Sequence, residues 1–279
     1  AYRPGSLMDN PIFLAGYFLI VIYAGLVLWN HGRNTKNKTL IWFGLVTGIC
    51  AVLGIFITES RGVILGLVVS TLATLGYLFV RGNSVVLFKN YSARKVSGIL
   101  LISLLAFGGL FMATRTAVFW NSIPGLGRLA QFSTTDLTTQ SRIANVELTV
   151  KAIAPTAANI KNTLIGWGWD NYVFAWQKHY DPNLYQYDRA IFDRAHNKLL
   201  DVLVMNGVLG FIAYIAIWVG IIRGAIGISR KSLFEASFVI FFSVAFFIQN
   251  LFVFDTIISY VPFYALAAYM VVKTQETYE

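Results

Sequence analysis

Apolar residues occur in long blocks along this chain, and the polar residues are collected between the blocks. Most of the blocks reach the roughly 17–25 residues that an α-helix needs to cross a bilayer. The pattern therefore predicts seven transmembrane helices. They cover Pro11–Trp29, Leu40–Ile57, Gly62–Val80, Val96–Met112, Leu199–Ile222, Ala236–Phe254 and Ile257–Val272.

A segment of different character, residues 113–197, lies between the fourth and fifth blocks. It is too polar to span a membrane and too long to be an idle connection. We predict an all-α polytopic membrane protein with one large, partly helical extracytoplasmic loop. Its parts are transmembrane helices 1–4 at residues 1–112, the loop at 113–197, and transmembrane helices 5–7 at 198–279.

Composition and charge support a membrane protein. The chain is 57% hydrophobic and 13% charged, whereas soluble domains carry about 25% charged residues. The net charge of +9 would suggest nucleic acid for a soluble protein. Here the basic residues cluster in His31–Thr39, Arg81–Lys95 and Arg223–Lys231, which alternate with the spans as the positive-inside rule expects for cytoplasmic loops. We therefore predict no nucleic-acid partner.

This topology leaves several arginines on the outer face, and Arg61 begins the third block. An arginine at the end of a span ordinarily reaches for lipid headgroups. The outer side, however, is where the positive-inside rule disfavours arginine. Because a guanidinium binds two phosphate oxygens at once, these arginines are candidates for an anion site. They are Arg3, Arg61, Arg115, Arg128, Arg142, Arg189 and Arg194.

His196 stands at the outer start of the fifth block. Most isolated histidines are structural, but an imidazole titrates near neutral pH and is the natural general base there. We predict that Asp193 caps the fifth span and that His196 lies in its first turn. Asp201 is a further candidate because acids inside spans are usually functional. The alternative for Asp201 is a local pair with Lys198.

The large loop contains one readable helix. Ser141 is its predicted N-cap, and Pro155 ends it after Arg142–Ala154. An apolar stripe runs along this helix, with Asn145 and Thr149 at its edge, and consists of Ile143, Val146, Val150 and Ile153.

Metal ligands are scarce in this chain. Three histidines and a single cysteine, Cys50, offer no spacing typical of a zinc site. We therefore predict no metal site and no cofactor.

Four segments resemble, in order, the O-antigen ligase and polymerase superfamily of bacterial membrane glycosyltransferases. Together they cover most of the chain from Gly5 to Gly210. Members have more spans than the seven predicted here, so we expect the chain to be a C-terminal part of a longer protein. The segments are Gly5–Pro11 with Leu14-Ala15-Gly16-Tyr17, Thr58-Glu59-Ser60-Arg61-Gly62, Ser141-Arg142 with Leu164-Ile165-Gly166-Trp167-Gly168, and Ala195-His196-Asn197-Lys198-Leu199-Leu200 with Asn206-Gly207-Val208-Leu209-Gly210.

The resemblance implies a GT-C-like fold and a reaction at the outer face of the bacterial cytoplasmic membrane. A glycan would pass from a polyprenyl-diphosphate carrier to an acceptor hydroxyl, with inversion at the anomeric carbon. The resemblance also implies that His196 takes the acceptor's proton. Arg61 and Arg142 would bind the diphosphate in place of a metal. We expect Arg61 and His196 to lie in one outward-facing cavity.

The resemblance leaves three acceptors open. A lipid A core would make the protein a ligase, another repeat unit would make it a polymerase, and a protein would make it an O-oligosaccharyltransferase. A transporter subunit is the rival from a different class, and it would have spans broken by glycine or proline at the midplane. Only Pro11 and Pro262 lie within the predicted spans, so we expect continuous helices.

Overall fold

The computed structural model describes residues 4–5, 8, 10–83, 85–88, 91–187, 189 and 191–278. Arg3, together with residues 6–7 and 9 of the first motif, lies outside the described residues. The elements are α1 (Pro11–Asn34), α2 (Lys38–Ile57), α3 (Arg61–Arg81), β1 (Val86–Phe88), β2 (Tyr91–Ser92), α4 (Ala93–Thr114), α5 (Leu126–Ala130), α6 (Leu137–Ile153), α7 (Ile160–Ile165), α8 (Tyr172–Lys178), α9 (Lys198–Ser229), α10 (Leu233–Asn250) and α11 (Ile257–Tyr278), with 3₁₀ turns at Val118–Ser122 and Pro182–Gln186.

The predicted class of an all-α polytopic membrane protein is confirmed, while the placement of the large loop outside the membrane stays a prediction. Among the described residues, six helices are long and apolar enough to cross a membrane, namely α1, α2, α3, α4, α9 and α10. The apolar part of α11, Ile257–Val272, is shorter. The chain is therefore an all-α polytopic membrane protein. The strands β1 and β2 form only a short antiparallel pair in the loop between α3 and α4.

Short polar side chains set the starts of the membrane helices. Asn10 Oδ1 accepts a hydrogen bond of 2.9 Å from the Ile12 amide, with Pro11 as the first helical residue. Asn37 Oδ1 does the same for the Leu40 amide at 3.2 Å. These caps satisfy amides that have no partner within the helix. They explain why polar positions between the apolar blocks mark the helix boundaries.

The chain forms two compact units. Unit 1 consists of Ala1–Gln131, Gly220–Gln249 and Thr256–Glu279, and its core joins residues of α1, α2, α3 and α10. Unit 2 consists of Phe132–Val219 and Asn250–Asp255. Its core joins Leu148 of α6, Tyr172 of α8 and Val204 of α9. The division at residues 112 and 197 stays a prediction.

The predicted loop helix exists with different bounds and a different buried face. Helix α6 begins at Leu137 because Asp136, not Ser141, is the N-cap, with Oδ1 2.8 Å from the Thr139 amide. Asn145 and Thr149 are buried on α6. The stripe residues Ile143, Val146 and Val150 are instead exposed. Hydrogen bonds that Asn145 and Thr149 form inside unit 2 turn this polar edge of α6 inward.

The expectation of continuous spans is wrong for α9. Gly207 has φ 66° and ψ −172°, which interrupts the helix nine residues after its start. The interruption frees the carbonyl oxygens of Val204 and Met205 from their usual partners four residues ahead. They accept instead from the Trp167 amide at 2.8 Å and the Gly168 amide at 2.9 Å. The segment Gly166-Trp167-Gly168 therefore supplies hydrogen-bond donors to the carbonyl groups at the interruption of α9.

Candidate active site

His196 lies just before α9 in an unusual backbone conformation. Its φ is +54°, in the left-handed region that non-glycine residues rarely adopt and that costs free energy. The predicted cap at Asp193 and the predicted place of His196 in the first turn are both wrong. Asn197 caps the helix, with Oδ1 3.0 Å from the Leu199 amide and 3.2 Å from the Leu200 amide. The left-handed turn at His196 lets Asn197 occupy the cap position.

The imidazole of His196 is held by its own loop. Nδ1 lies 3.1 Å from the carbonyl oxygen of Arg194. Because a carbonyl oxygen only accepts, Nδ1 is the donor, and in the neutral ring Nε2 then carries the lone pair. The rings of Phe192 and Phe254 meet the imidazole edge to face, at 5.4 Å and 5.3 Å between centroids. This environment orients the ring and leaves Nε2 as the basic nitrogen.

A buried polar network supports the same loop from α6. Asn145 Nδ2 donates to the carbonyl oxygen of Arg194 at 3.3 Å, and Asn145 Oδ1 accepts from the Tyr172 hydroxyl at 2.8 Å. The Tyr172 hydroxyl also lies 2.8 Å from the hydroxyl of Thr149. Burial raises the pKa of Tyr172 well above its usual value. Tyr172 therefore remains a hydrogen-bond donor across the physiological pH range.

Asp201 supports the loop from α9. Its side chain is 4% exposed, and Oδ1 accepts a 2.6 Å hydrogen bond from the Ala195 amide, next to His196. Lys198 forms its buried ion pair with Asp255, at 2.8 Å between Nζ and Oδ2. The amide of Ala195, rather than a pair with Lys198, is thus the direct contact of Asp201. This hydrogen bond fixes the backbone beside His196.

The turn at Asn250–Asp255 closes the other side of this cluster. Asp255 pairs with Lys198, and its Oδ1 also accepts a hydrogen bond from Asn250 Nδ2 at 3.3 Å. The Asn197 side chain donates to the carbonyl oxygen of Leu251 at 3.2 Å. These contacts bring the Phe254 ring against His196.

The arginines of unit 2 have different surroundings. Arg194 forms an ion pair with Asp170, and its guanidinium lies 5.7 Å from the centre of the Phe254 ring. Arg142 is half-buried on α6, one turn before Asn145 and on the same side of the helix. Arg189 is exposed, with its guanidinium 5.1 Å from the centre of the Tyr185 ring. Arg142 and Arg194 thus belong to elements that contact the His196 loop, whereas Arg189 lies at the surface.

Arg61 belongs to unit 1, where it is the first residue of α3. The turn before it is buried and well supported. The Ser60 hydroxyl donates to the carbonyl oxygen of Pro11 at 3.2 Å, which joins the starts of α1 and α3. Arg128 Nη1 donates to the carbonyl oxygen of Glu59 at 3.3 Å. Both contacts fix the backbone from which the Arg61 side chain extends.

The other described titratable groups of the loop have no arrangement typical of a metal centre. Within the described ranges, no three His, Cys, Asp or Glu side chains are grouped so that they could hold an ion. His179 packs edge to face on Trp167. Burial, followed by the charges of Lys178 and Lys151, lowers the pKa of His179. His179 is therefore neutral at pH 7.

Sequence reasoning missed the residues that position His196. Asn145 and Thr149 were assigned to the edge of a helix, and Tyr172 and Phe254 received no role. The one available signal was the spacing of Asn145 and Thr149, since two polar residues four apart share a helix face. The partners that make this face the buried one are distant in sequence.

These helices and this cluster define a multi-pass membrane protein with a histidine held just before a span. The sequence profile of the O-antigen ligase family matches residues 46–215, which is more than half of the 279 residues. The chain therefore belongs to the O-antigen ligase family, whose members are membrane glycosyltransferase-like enzymes of polysaccharide biosynthesis. The matched range includes Arg61, Arg142 and His196. No curated protein sequence matches the chain.

Proposed function

We propose that this protein transfers a glycan from a polyprenyl-diphosphate carrier to an acceptor hydroxyl at the outer face of the bacterial cytoplasmic membrane, as an O-antigen ligase. The observation that carries the proposal is the setting of His196. Its Nδ1 is engaged by the Arg194 carbonyl, which leaves Nε2 as the nitrogen that can accept a proton. The family membership supports glycan and lipid substrates.

The reaction divides into a proton transfer and a displacement. The acceptor hydroxyl attacks the anomeric carbon, and its proton passes to His196 Nε2 as the new glycosidic bond forms. The bond between the anomeric carbon and the diphosphate oxygen breaks, and the electron pair leaves with the polyprenyl diphosphate. Attack from the side opposite the leaving group inverts the anomeric centre.

Arg61 and Arg142 have the role of stabilising the leaving diphosphate. Its negative charge grows as the bond breaks, and guanidinium groups aimed at that charge lower the barrier. A guanidinium can hold two phosphate oxygens at once. In this proposal the arginines do the work that a divalent metal does in many glycosyltransferases. Arg194 and Asp201 act through the backbone of the His196 loop and are positioning residues.

The break in α9 fits this proposal better than a transporter. In transporters, the carbonyl groups of an unwound span coordinate the transported ions. Here the freed carbonyls of Val204 and Met205 accept from the amides of Trp167 and Gly168. Both carbonyl groups therefore accept from donors within the protein. The break thus supports a fixed loop beside His196 rather than an ion site.

Purified protein, a polyprenyl-diphosphate glycan and separate acceptors test the proposal directly. Lipid A core, a second carrier-linked repeat unit and an acceptor peptide are offered in parallel, with and without chelator. The proposal predicts an inverted product on the lipid A core, at a rate that the chelator does not change. Loss of transfer on chelation, or transfer only to the other acceptors, contradicts it.

The shared role of Arg61 and His196 has its own test. A polyprenyl-diphosphate analogue with a photoreactive group beside the diphosphate is cross-linked to the protein, and the adducts are mapped by mass spectrometry. The proposal predicts adducts near both residues, and excess natural carrier lipid should suppress them. Adducts near only one of the two residues would contradict a common substrate site.

A further inference from the structure

The surface of α9 changes character at the Gly207 break. Before the break, Lys198, Asp201 and Val204 are buried within unit 2. After it, Leu209 is 58% exposed and Ile212 is 60% exposed. Exposed apolar side chains on α9 therefore occur only after Gly207. The start of α9 is covered by protein, whereas the later part has one buried side, which includes Tyr214 and Trp218, and one exposed apolar side.

The length of α9 after the break matches a membrane span. Residues 208–229 number 22, which at about 1.5 Å per residue gives about 33 Å of helix. The hydrocarbon core of a bilayer is about 30 Å thick. The nine residues before Gly207 are therefore not needed to cross the membrane, and they contain the charged Lys198 and Asp201.

Helix α7 lies directly against the break. A side-chain carbon added to Gly207 would clash with the Leu164 carbonyl group, and one added to Gly166 would clash with Met205. The two backbones are thus in contact. Leu164 and Ile165, on one side of this contact, are exposed, as is Leu209 on the other side. Exposed apolar side chains therefore flank the backbone contact on both sides and make up an apolar surface of α7 and α9.

We infer that this surface inserts into the outer leaflet of the bilayer and sets the depth of the His196 loop. The surface consists of Ile160, Leu164 and Ile165 of α7 and of Val208, Leu209 and Ile212 of α9. The occupant is lipid because the surface continues onto the membrane-spanning part of α9. An apolar helix face in the membrane interface is stabilised by removal of its area from water.

The backbone at this depth is compatible with lipid. Irregular backbone is tolerated near hydrocarbon only where its polar groups are paired within the protein. The carbonyls of Val204 and Met205 are paired with Trp167 and Gly168. The inference places the outer hydrocarbon boundary near Gly207. Asp201 and the loop that holds His196 then stand in the aqueous interface.

Spin labelling in lipid nanodiscs tests the inference independently of enzymatic activity. A nitroxide is attached at Leu164→Cys in a Cys50→Ser background, and Ile165→Cys serves as a second position. Ile49→Cys on α2 and Gln177→Cys on α8, both exposed, are the hydrocarbon and water references. Collision with oxygen and with a water-soluble nickel complex gives the depth of each label.

The inference predicts that labels at Leu164 and Ile165 collide with oxygen more than with nickel, as at Ile49. It also predicts that Leu164 lies within about one helical turn, 5.4 Å, of the depth of a label at Leu209→Cys. Collision with nickel as frequent as at Gln177 would overturn it. Shielding from both reagents would also overturn it, because a protein would then cover the surface.

Discussion

Gly166 and Gly207 are placed reciprocally: Gly166 packs against the backbone of Met205, and Gly207 packs against the backbone of Leu164, so that neither position has room for a side chain. Gly166 has φ +79° and Gly207 has φ +66°, conformations that residues other than glycine rarely adopt. The contact joins the Gly-Trp-Gly segment to the break in α9. It aligns the amides of Trp167 and Gly168 with the carbonyls of Val204 and Met205.

Gly207→Ala is expected to destabilise the protein. Its φ and ψ are essentially restricted to glycine, and forcing another residue into them costs about 1–3 kcal/mol before any clash is counted. The added carbon would also displace the Leu164 backbone. We expect a clear fall in the melting temperature of the detergent-solubilised protein, together with loss of transfer.

Gly220→Ala is the matched control on the same helix. Nothing lies within 4 Å of a carbon added there, and alanine favours a helix over glycine by up to about 1 kcal/mol. The melting temperature should stay the same or rise. If both variants behave alike, the close contact of Gly207 with the Leu164 backbone does not stabilise unit 2.

Tyr172→Phe is expected to weaken unit 2 by about 1–3 kcal/mol, because Asn145 Oδ1 loses its donor in a buried site. The hydroxyl contact with Thr149 is lost as well. The melting temperature checks the prediction. Tyr185→Phe, at an exposed tyrosine, should leave it unchanged. Equal stability of the two variants would show that the buried network contributes nothing.

Asn145→Leu tests whether the network positions His196. The substitution removes the donor to the Arg194 carbonyl, which also accepts from His196 Nδ1. We expect the rate constant for transfer to fall by about tenfold or more, as misplacement of a catalytic group does. The apparent affinity for carrier lipid should change little. A fall in affinity alone would argue against a positioning role.

Arg61→Lys is expected to be nearly as damaging to transfer as Arg61→Ala. A guanidinium holds two phosphate oxygens in a fixed geometry, and an ammonium is a compact point charge. Transfer rate and carrier-lipid affinity are the measurements. Arg230→Lys, at an exposed arginine between α9 and α10, is the control and should have no effect. Wild-type values for Arg61→Lys would leave Arg61 as an anchor at the headgroups.

Arg142→Lys separates two roles of the arginine on α6. If Arg142 binds the diphosphate, the lysine variant should lose both carrier-lipid affinity and transfer rate. If it only stabilises the surface of α6, lysine should replace it with little change in either quantity, since both side chains are long and cationic. The same two measurements on purified protein decide between these roles.

Much of the fold could be predicted because its causes are local. Apolar blocks followed by capping residues such as Asn37 mark helices whose ends depend only on neighbours in sequence. Charge in the short loops predicts which ends of these helices face the cytoplasm, and that orientation stays a prediction. The same topology placed Arg61 and His196 at the starts of spans, and the structure finds Arg61 at the start of α3 and His196 two residues before α9.

The remaining features depend on contacts between distant residues. The break at Gly207 is stable because amides about 40 positions earlier pair its carbonyls, and no local pattern encodes that pairing. Asn145 faces inward because Tyr172 and the Arg194 carbonyl are its partners. A hydrophobic stripe alone therefore selected the wrong face of α6.

His196→Ala tests whether His196 is the general base of the transfer. Transfer from a polyprenyl-diphosphate glycan is measured on purified variant and wild type, with the melting temperature as the check on folding. His31→Ala, at an exposed histidine in the last turn of α1, is the matched control. Loss of a general base typically costs a factor of about 10²–10⁴ in rate. We predict a fall of that size for His196→Ala with an unchanged melting temperature, and full activity for His31→Ala. Wild-type transfer by a well-folded His196→Ala variant would exclude His196 as the general base.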